Sequence, residues 1–254
     1  MKIVVHANDK IKLSGLPVSG DKLLEGIPDG LPREPSMRML IIGAPGSGKT
    51  SLMVSLLSKY YKKKFDRIYL ISGSKQTLPD TFLSKLNESR VYDTLNLEII
   101  DDIIEQIRGN GLKNLLILDD VVKEMADVAI QRKLMQLFYN ARHIASNGDG
   151  GSLGIWTVAQ RLYGIPPQLR PASSYVIFFN LGSRKETEIL FEQFVTFLDR
   201  NEFRQLIQYL QKNNRGHDFL FIDVNQAKLA RTFDAIEIIN EDNIEAPEPS
   251  PDKK

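Results

Sequence analysis

The sequence predicts an α/β fold in which a mainly parallel sheet is covered by helices on both faces. Apolar runs of strand length, such as 115–118 and 175–179, recur between segments whose apolar residues have helical spacing. A glycine-rich loop joins the first of these runs to a helix, and Asp119 and Gln160 each close a later run. The chain has 254 residues, 42% of them apolar, which is enough for one such domain with extensions.

The predicted elements alternate from residue 38 onward. Strands are predicted at 39–43, 67–72, 97–100, 115–120, 153–159 and 174–180, with a closing hairpin at 219–223 and 228–233. Helices are predicted at 48–62, 81–87, 101–108, 126–144, 184–194 and 202–212. Asp101 is the expected cap of the third helix. The apolar stripe of the helix 126–144 extends to the residue after it and consists of Ile130, Leu134, Leu137, Phe138, Ala141 and Ala145.

The two ends of the chain differ from this core in composition. Glycine and proline punctuate residues 15–35, so we predict an N-terminal extension over 1–37, with a short strand at 3–5. The main domain is predicted over 38–240. Residues 241–254 are rich in proline and charge, which predicts a disordered tail.

Composition excludes several classes of protein. Lys and Arg total 33 against 32 for Asp and Glu, so the chain is not coated in positive charge, although a local basic patch is compatible with this balance. There is no cysteine, which excludes disulfides and thiolate metal sites. No apolar run has membrane-spanning length, and the N-terminus lacks a signal-peptide pattern. We therefore expect an intracellular protein.

One stretch matches the nucleotide-binding pattern G-x-x-x-x-G-K-[ST] at every fixed position. An apolar strand precedes it and a helix follows, with apolar residues at Leu52, Leu56 and Tyr60. Lys49 is expected to reach the β- and γ-phosphates of ATP, and the Thr50 hydroxyl to ligate Mg²⁺. The predicted phosphate-binding residues are Gly43, Ala44, Pro45, Gly46, Ser47, Gly48, Lys49, Thr50 and Ser51.

Acidic and amide side chains follow two later strands. Asp119 is expected to hold Mg²⁺, and Asp120 to orient or deprotonate the attacking water, with Glu124 as the alternative acid. Gln160 is expected to contact the γ-phosphate or that water. The competing interpretations are an ordinary strand-end turn for the two aspartates and a surface side chain for the glutamine.

Other polar groups carry less information. The basic segment 59–64 contains two tyrosines and is compatible with nucleic-acid contact, but a solvated helix end explains it better. A lone arginine such as Arg142 is usually solvated. His6, His143 and His217 show no metal-ligand spacing.

The order of these features resembles a known superfamily. Leu-Leu-Ile-Leu-Asp-Asp is followed by a long helix that ends in Asn-Ala-Arg-His at 140–143. A strand closed by Gln160-Arg161 comes next, and then a strand at 175–180 before Gly182-Ser183-Arg184. The stretch 115–194 thereby resembles the FtsK–HerA superfamily of DNA-pumping ATPases. It looks most like the poxvirus-type genome-packaging ATPases of large DNA viruses and virophages.

This resemblance implies a RecA-like P-loop NTPase fold and a ring of five or six subunits around double-stranded DNA. Arg142 matches a trans-acting arginine finger and Arg184 a second trans-acting basic position. A capsid or vertex protein is the implied partner, and the host cytoplasm (as a virus factory) or the virion the implied location. The glycine-rich insert 147–151 departs from the shorter connection of many relatives.

The sequence therefore predicts an ATP-driven translocase that packages a viral double-stranded DNA genome. A cellular or plasmid DNA translocase of the same superfamily is the nearest alternative. A small-molecule kinase is disfavoured because no lid with paired arginines is visible, and a GTPase because Asn-Lys-x-Asp is absent. A nucleotide-binding scaffold without turnover is the remaining alternative.

Overall fold

The computed structural model describes residues 22–214 and 216–236. Its strands form one sheet: β1 (Arg38–Ile42), β2 (Arg67–Ser72), β3 (Val91–Tyr92), β4 (Lys113–Asp119), β5 (Ser152–Ala159), β6 (Tyr175–Phe178), β7 (Leu220–Asp223), β8 (Lys228–Arg231) and β9 (Asp234–Ile236). The helices are α1 (Lys49–Leu56), α2 (Asp80–Leu83), α3 (Leu97–Ile107), α4 (Val128–Tyr139), α5 (Arg184–Phe194) and α6 (Arg200–Lys212). The α/β class predicted from the sequence is confirmed.

The strand order is β3-β2-β4-β5-β1-β6-β7-β8-β9. The first six strands in this order are parallel, and β7, β8 and β9 extend the sheet with antiparallel pairing. β5 therefore lies between β1 and β4. The carboxyl ends of the parallel strands share one edge of the sheet, which is where ligands bind in open α/β folds.

Each face of the sheet has its own apolar core. One core packs α3, α4, α5 and α6 against the sheet, with buried residues such as Ile103, Leu137 and Leu190. The other packs α1 and α2 together with Leu24, Ile27 and Met37 of the N-terminal segment. Helices therefore cover both faces, as predicted, and residues 22–37 add to one of them.

The aromatic part of the basic segment 59–64 belongs to this second core. Tyr61 is fully buried, and its hydroxyl donates to the Pro32 carbonyl at 2.8 Å. Its ring meets the Trp156 ring edge to face, with 5.2 Å between centroids. Tyr61 is thus a structural residue.

Four predicted elements are wrong in type or extent. The predicted strand 97–100 is the first turn of α3, which is capped by the Asn96 side chain rather than by Asp101. Burial of Ile100, Ile103, Ile104 and Ile107 at helical spacing decides this, because a short apolar run suits either element.

The predicted helix 126–144 is shorter at both ends. Asp127 caps α4 by accepting from the Ala129 and Ile130 N–H groups, and the helix ends at Tyr139, so Arg142 lies in the turn after it. The predicted helix 81–87 is only the single turn α2. Helix 48–62 is divided between α1 and a π-helical turn at Leu57–Tyr61.

The predicted strand at 3–5 and the predicted tail at 241–254 lie outside the described residues. Within the part of the chain that the structure describes, none of the helices combines the length and apolarity needed to cross a membrane.

Candidate active site

The glycine-rich loop follows β1 and leads into α1, as the sequence predicts. Gly48 has a φ of 97°, in the left-handed region that glycine adopts without strain, and a Cβ there would lie 3.3 Å from the His217 ring. At Gly43 a Cβ would lie 2.2 Å from Ser47 Oγ, so the loop closes tightly on itself. These two positions require glycine for different reasons, one for backbone conformation and one for space.

The start of α1 is arranged to receive an anion. Its first turn contains no acidic residue, and no side chain caps it. The free N–H groups and the positive end of the helix therefore remain available to a ligand. Lys49 and Thr50 are half-buried on this turn, and Ala44, Pro45 and Gly46 are exposed at the mouth of the loop.

Asp119 is held at the end of β4. The residue is 1% exposed, and its Oδ2 accepts from the Ser72 hydroxyl at 2.8 Å and from the Ser74 hydroxyl at 3.5 Å. Burial raises the pKa of Asp119 above its usual value, and the Ser72 hydrogen bond opposes this rise. The charge of Asp120 raises the pKa further and that of Lys49 lowers it, so Lys49 and Asp119 are electrostatic neighbours.

The donor set at this point fits Mg²⁺. Asp119 and Thr50 supply hard oxygen atoms, and Ser72 engages only one oxygen of the carboxylate. The described residues contain no group of three or more acidic or histidine side chains that could bind a metal ion by themselves. Mg²⁺ commonly takes one or two protein ligands and completes its shell with water and phosphate.

Asp120 and Gln160 are in direct contact. The Gln160 amide Nε2 donates to Asp120 Oδ1 at 3.2 Å and lies 3.4 Å from Oδ2. Asp120 has a φ of 54°, unusual for a residue other than glycine, which turns its half-buried side chain out of the strand direction. The loop after β2 packs closely against the backbone of this residue, because a Cβ on Gly73 would lie only 2.7 Å from the Asp120 carbonyl oxygen.

Glu124 lies in the turn after β4. Its Oε2 atom is buried and has no hydrogen-bond partner among the described residues. It is therefore retained as the second acidic candidate beside Asp120.

Asn180 joins the glycine loop to the end of β5. Its Oδ1 accepts from the Ala44 N–H at 2.7 Å, and its Nδ2 donates to the Gln160 carbonyl at 3.0 Å and to Glu186 Oε2 at 2.5 Å. The Glu186 carboxylate is buried, and its other oxygen accepts from the Leu162 N–H at 2.5 Å. The loop, the glutamine and the start of α5 are thus connected through two side chains.

Two cavities flank the glycine loop. The smaller, of about 320 Å³, is lined by Ala44, Pro45, Gln160, Arg161, Asn180, Gly182, Ser183 and Glu186. The other, of about 540 Å³, is lined by the first turn of α1 together with Phe179, His217 and Phe219.

The two predicted trans-acting arginines lie at different places. Arg184 begins α5, at the edge of the sheet that carries the glycine loop. Arg142 lies at the opposite edge, beside the start of β1. Arg38, the first residue of β1, has a lowered pKa, mainly because it is buried and secondly because the positive charge of Arg142 is nearby. The strands separate Arg142 from the glycine loop of its own chain.

The structure thus brings together the glycine loop, Asp119, Asp120 and Gln160. Sequence reasoning did not single out Ser72, Asn180 or Glu186, although the first two follow the same rule of polar residues at strand ends. It set His217 aside among scattered histidines. No local signal marks His217, because it reaches the loop from a distant turn, where its Nδ1 lies 3.1 Å from the Ser47 carbonyl oxygen.

Solved structures of viral packaging enzymes share this fold. The genome packaging NTPase B204 from Sulfolobus turreted icosahedral virus 2, in complex with AMPPCP, is 16% identical, with a TM-score of 0.51 over 78% of this chain and 97% of that one. The DNA-packaging ATPase B204 from Sulfolobus turreted icosahedral virus gives a TM-score of 0.52 at 16% identity, over 78% of this chain and 97% of that one.

A plasmid protein gives a comparable match. The pCW3 conjugation coupling protein TcpA, in its monomer form with ATPγS, is 14% identical, with a TM-score of 0.51 over 79% of this chain and 60% of TcpA. At such identities these likenesses establish the fold alone.

No curated protein sequence gives a significant match. The Poxvirus A32 protein family, in contrast, matches residues 30–227. Because this match spans most of the chain, the protein belongs to the Poxvirus A32 family and is one of the poxvirus-type genome-packaging ATPases that its sequence resembles.

Proposed function

We propose that this chain hydrolyses ATP with Mg²⁺ at the interfaces of a homo-oligomeric ring and uses that reaction to move double-stranded DNA into a viral capsid. The observation that carries the proposal is the convergence of the glycine loop, Asp119, Asp120 and Gln160 at one edge of the sheet. The charge of Lys49 lowers the pKa of Asp119, and Gln160 contacts Asp120 directly.

The phosphate-binding roles follow from position. The backbone of residues 43–51 surrounds the phosphates, and Lys49 neutralises charge on the β- and γ-phosphates. Thr50 and Asp119 hold Mg²⁺, which when bound offsets the charge that develops on the phosphate oxygens. The buried position of Asp119 limits its motion, and Ser72 orients its carboxylate.

Asp120 and Gln160 are assigned to the attacking water. Asp120 accepts its proton or orients it, and the Gln160 amide holds the carboxylate from the side of β5. Aspartate is shorter than the glutamate common at this position, and the backbone conformation at Asp120 is what aims the side chain.

A second subunit completes the site in this proposal. Phosphoryl transfer is accelerated by an arginine opposite the γ-phosphate, often supplied in trans. Arg142 is exposed and lies across the sheet from its own glycine loop, so it can serve only a neighbouring subunit. Arg184 is the second candidate and lies at the edge that carries the site. A closed ring gives every site a neighbour, and the family resemblance implies five or six subunits.

Double-stranded DNA is the proposed polymer, with contacts that are mainly electrostatic and independent of sequence. B204 is a genome-packaging enzyme and TcpA a conjugation coupling protein, so a plasmid or cellular translocase is the second candidate. Membership of the Poxvirus A32 family favours the viral role. That role implies a capsid or vertex protein as partner, and the host cytoplasm or the virion as location.

ATP hydrolysis measured with and without linear duplex DNA, alongside the mass of the assembly, tests this proposal. We expect a ring-sized assembly whose hydrolysis rate rises several-fold with DNA. A monomer whose rate is indifferent to DNA would contradict both the ring and the translocase role.

A further inference from the structure

The larger of the two cavities beside the glycine loop has no role in the chemistry described above. Its volume of about 540 Å³ lies in the range typical of small-molecule sites, about 300–1,000 Å³. It opens beside Lys49, Thr50, Ser51 and Leu52, so a group bound in it is adjacent to the phosphate-binding turn.

Aromatic rings line the far wall of this cavity. Phe179 follows β6 and is half-buried, so its ring borders the open space. The buried Phe219 supports that ring, with 5.1 Å between the two centroids, and Phe233 in turn packs on Phe219 at 5.0 Å. A half-exposed ring backed by two others offers a rigid stacking surface.

His217 forms a second wall. Its Nδ1 lies 3.1 Å from the Ser47 carbonyl oxygen, and a carbonyl oxygen can only accept a hydrogen bond, so Nδ1 must carry a proton. In the neutral ring Nε2 is then the acceptor nitrogen. The ring lies against Gly48, where a side chain would displace it.

The two cavities fix the direction of a bound nucleotide. The smaller cavity is lined by Gln160, which contacts Asp120, so the γ-phosphate end belongs on that side. The nucleoside must then leave the loop on the opposite side, into the cavity of Phe179 and His217.

We propose that Phe179 and His217 form the nucleobase site of this ATPase, that the base stacks on Phe179, and that His217 Nε2 accepts from the exocyclic amino group of adenine. This inference rests on the proposed function, since it concerns the same nucleotide. Guanine presents a carbonyl oxygen at the corresponding position. Because this oxygen and Nε2 are both acceptors, no hydrogen bond forms between them, and binding of guanine is disfavoured.

The test measures the KM for ATP and for GTP in the Phe179→Leu and His217→Asn variants. We expect each change to raise the KM for ATP about tenfold, in line with base–aromatic stacking energies of about 1–3 kcal/mol. In the parent chain the KM for GTP should exceed the KM for ATP. In His217→Asn the ratio of these two KM values should fall toward one. Tyr60→Leu, at a half-exposed aromatic residue in the π-helical turn after α1, is the matched control and should keep the KM of the parent chain.

Inorganic triphosphate, as a competitive inhibitor, separates base binding from support of the loop. Asparagine in place of His217 keeps a donor for the Ser47 carbonyl, so the inhibition constant of triphosphate should stay within about twofold of that of the parent chain. If it rises by the same factor as the KM for ATP, His217 only shapes the loop, and the assignment is overturned.

Failure of this inference differs from failure of the proposed function. Unchanged KM values in both variants, with Lys49→Ala inactive, would remove the base site and leave the ATPase site intact. Full hydrolysis by Lys49→Ala would remove the ATPase site itself.

Discussion

The Asn180 side chain accepts a hydrogen bond from the backbone N–H of Ala44 at 2.7 Å. The same side chain donates to the Gln160 carbonyl and to the buried Glu186 carboxylate. The glycine loop is therefore joined to Gln160, the residue that contacts Asp120. A movement of the glycine loop must therefore be transmitted to Gln160, or it must break these hydrogen bonds. Glu186 connects α5, which begins at Arg184, to the same side chain.

Asn180→Asp should lower kcat about tenfold or more at neutral pH, with a smaller effect on the KM for ATP. The change replaces the donor Nδ2 by an oxygen that faces the Gln160 carbonyl and the Glu186 carboxylate, and a lost buried hydrogen bond costs about 1–3 kcal/mol. Two carboxylates that share a site raise the pKa of one of them, and its protonated form regains a donor. Activity should thus recover partly as the pH falls. Asn201→Asp, on the exposed start of α6, is the control that should show neither effect.

Lys49→Ala should abolish ATP turnover, because no other described side chain of the first turn of α1 carries positive charge. Hydrolysis and the circular dichroism spectrum should be measured together, to separate lost chemistry from lost fold. The exposed Lys63 gives a matched control, and Lys63→Ala should hydrolyse ATP normally. Undiminished turnover by the Lys49 variant would exclude the glycine loop from the mechanism.

Asp120→Asn and Glu124→Gln distinguish the two acidic candidates. We expect Asp120→Asn to reduce kcat by about 10²-fold or more, the range typical of a lost general base, with little change in the KM for ATP. Glu124→Gln should change kcat by less than about threefold, since Gln160 contacts Asp120 and not Glu124. The opposite ranking in single-turnover hydrolysis would transfer the role to Glu124.

Arg142→Ala should retain ATP binding and lose hydrolysis. Mixing this variant with Lys49→Ala protein should restore part of the activity, because a mixed ring contains interfaces where an intact loop meets an intact arginine. The measurement is the hydrolysis rate against mixing ratio, after subunit exchange has been verified by mass. Absence of any recovery would argue that Arg142 does not act between subunits.

Asp119→Asn should raise the thermal stability of the nucleotide-free chain at pH 7 by a few degrees while it abolishes Mg²⁺-dependent hydrolysis. Burial raises the pKa of Asp119 above its usual 3.8, so the folded state binds the proton more tightly than the unfolded state does. The stability of the parent chain therefore falls as the pH rises from about 3.8 through the folded-state pKa. The neutral variant should lack this contribution. An unchanged melting temperature across that range would contradict the desolvation argument.

Several features of this protein could be read directly from the sequence. The glycine loop, Asp119, Asp120 and Gln160 each stand at the end of an apolar run, and the parallel arrangement of those runs follows from their alternation with helices. The loop pattern also specifies backbone conformation, since Gly46 and Gly48 adopt positive φ values. These properties are local, and short-range chemistry determines them.

Features that depend on distant segments could not be read in this way. The predicted strand 97–100 became a helix because four isoleucines are buried against the sheet, which short-range periodicity does not reveal. Arg142 was expected in a helix and lies in a turn at the edge of the sheet opposite the glycine loop.

The sequence by itself determined that this chain carries a glycine loop of the nucleotide-binding pattern, and acidic and amide residues at the ends of two later strands. Only the tertiary structure decided that β5 lies between β1 and β4, so that Gln160 contacts Asp120. It also decided that His217, 169 residues from Gly48, lies against that glycine and borders the second cavity. The physical reason is that strand order and loop packing minimise the free energy of the whole chain, whereas each motif reflects the requirements of a few neighbouring residues.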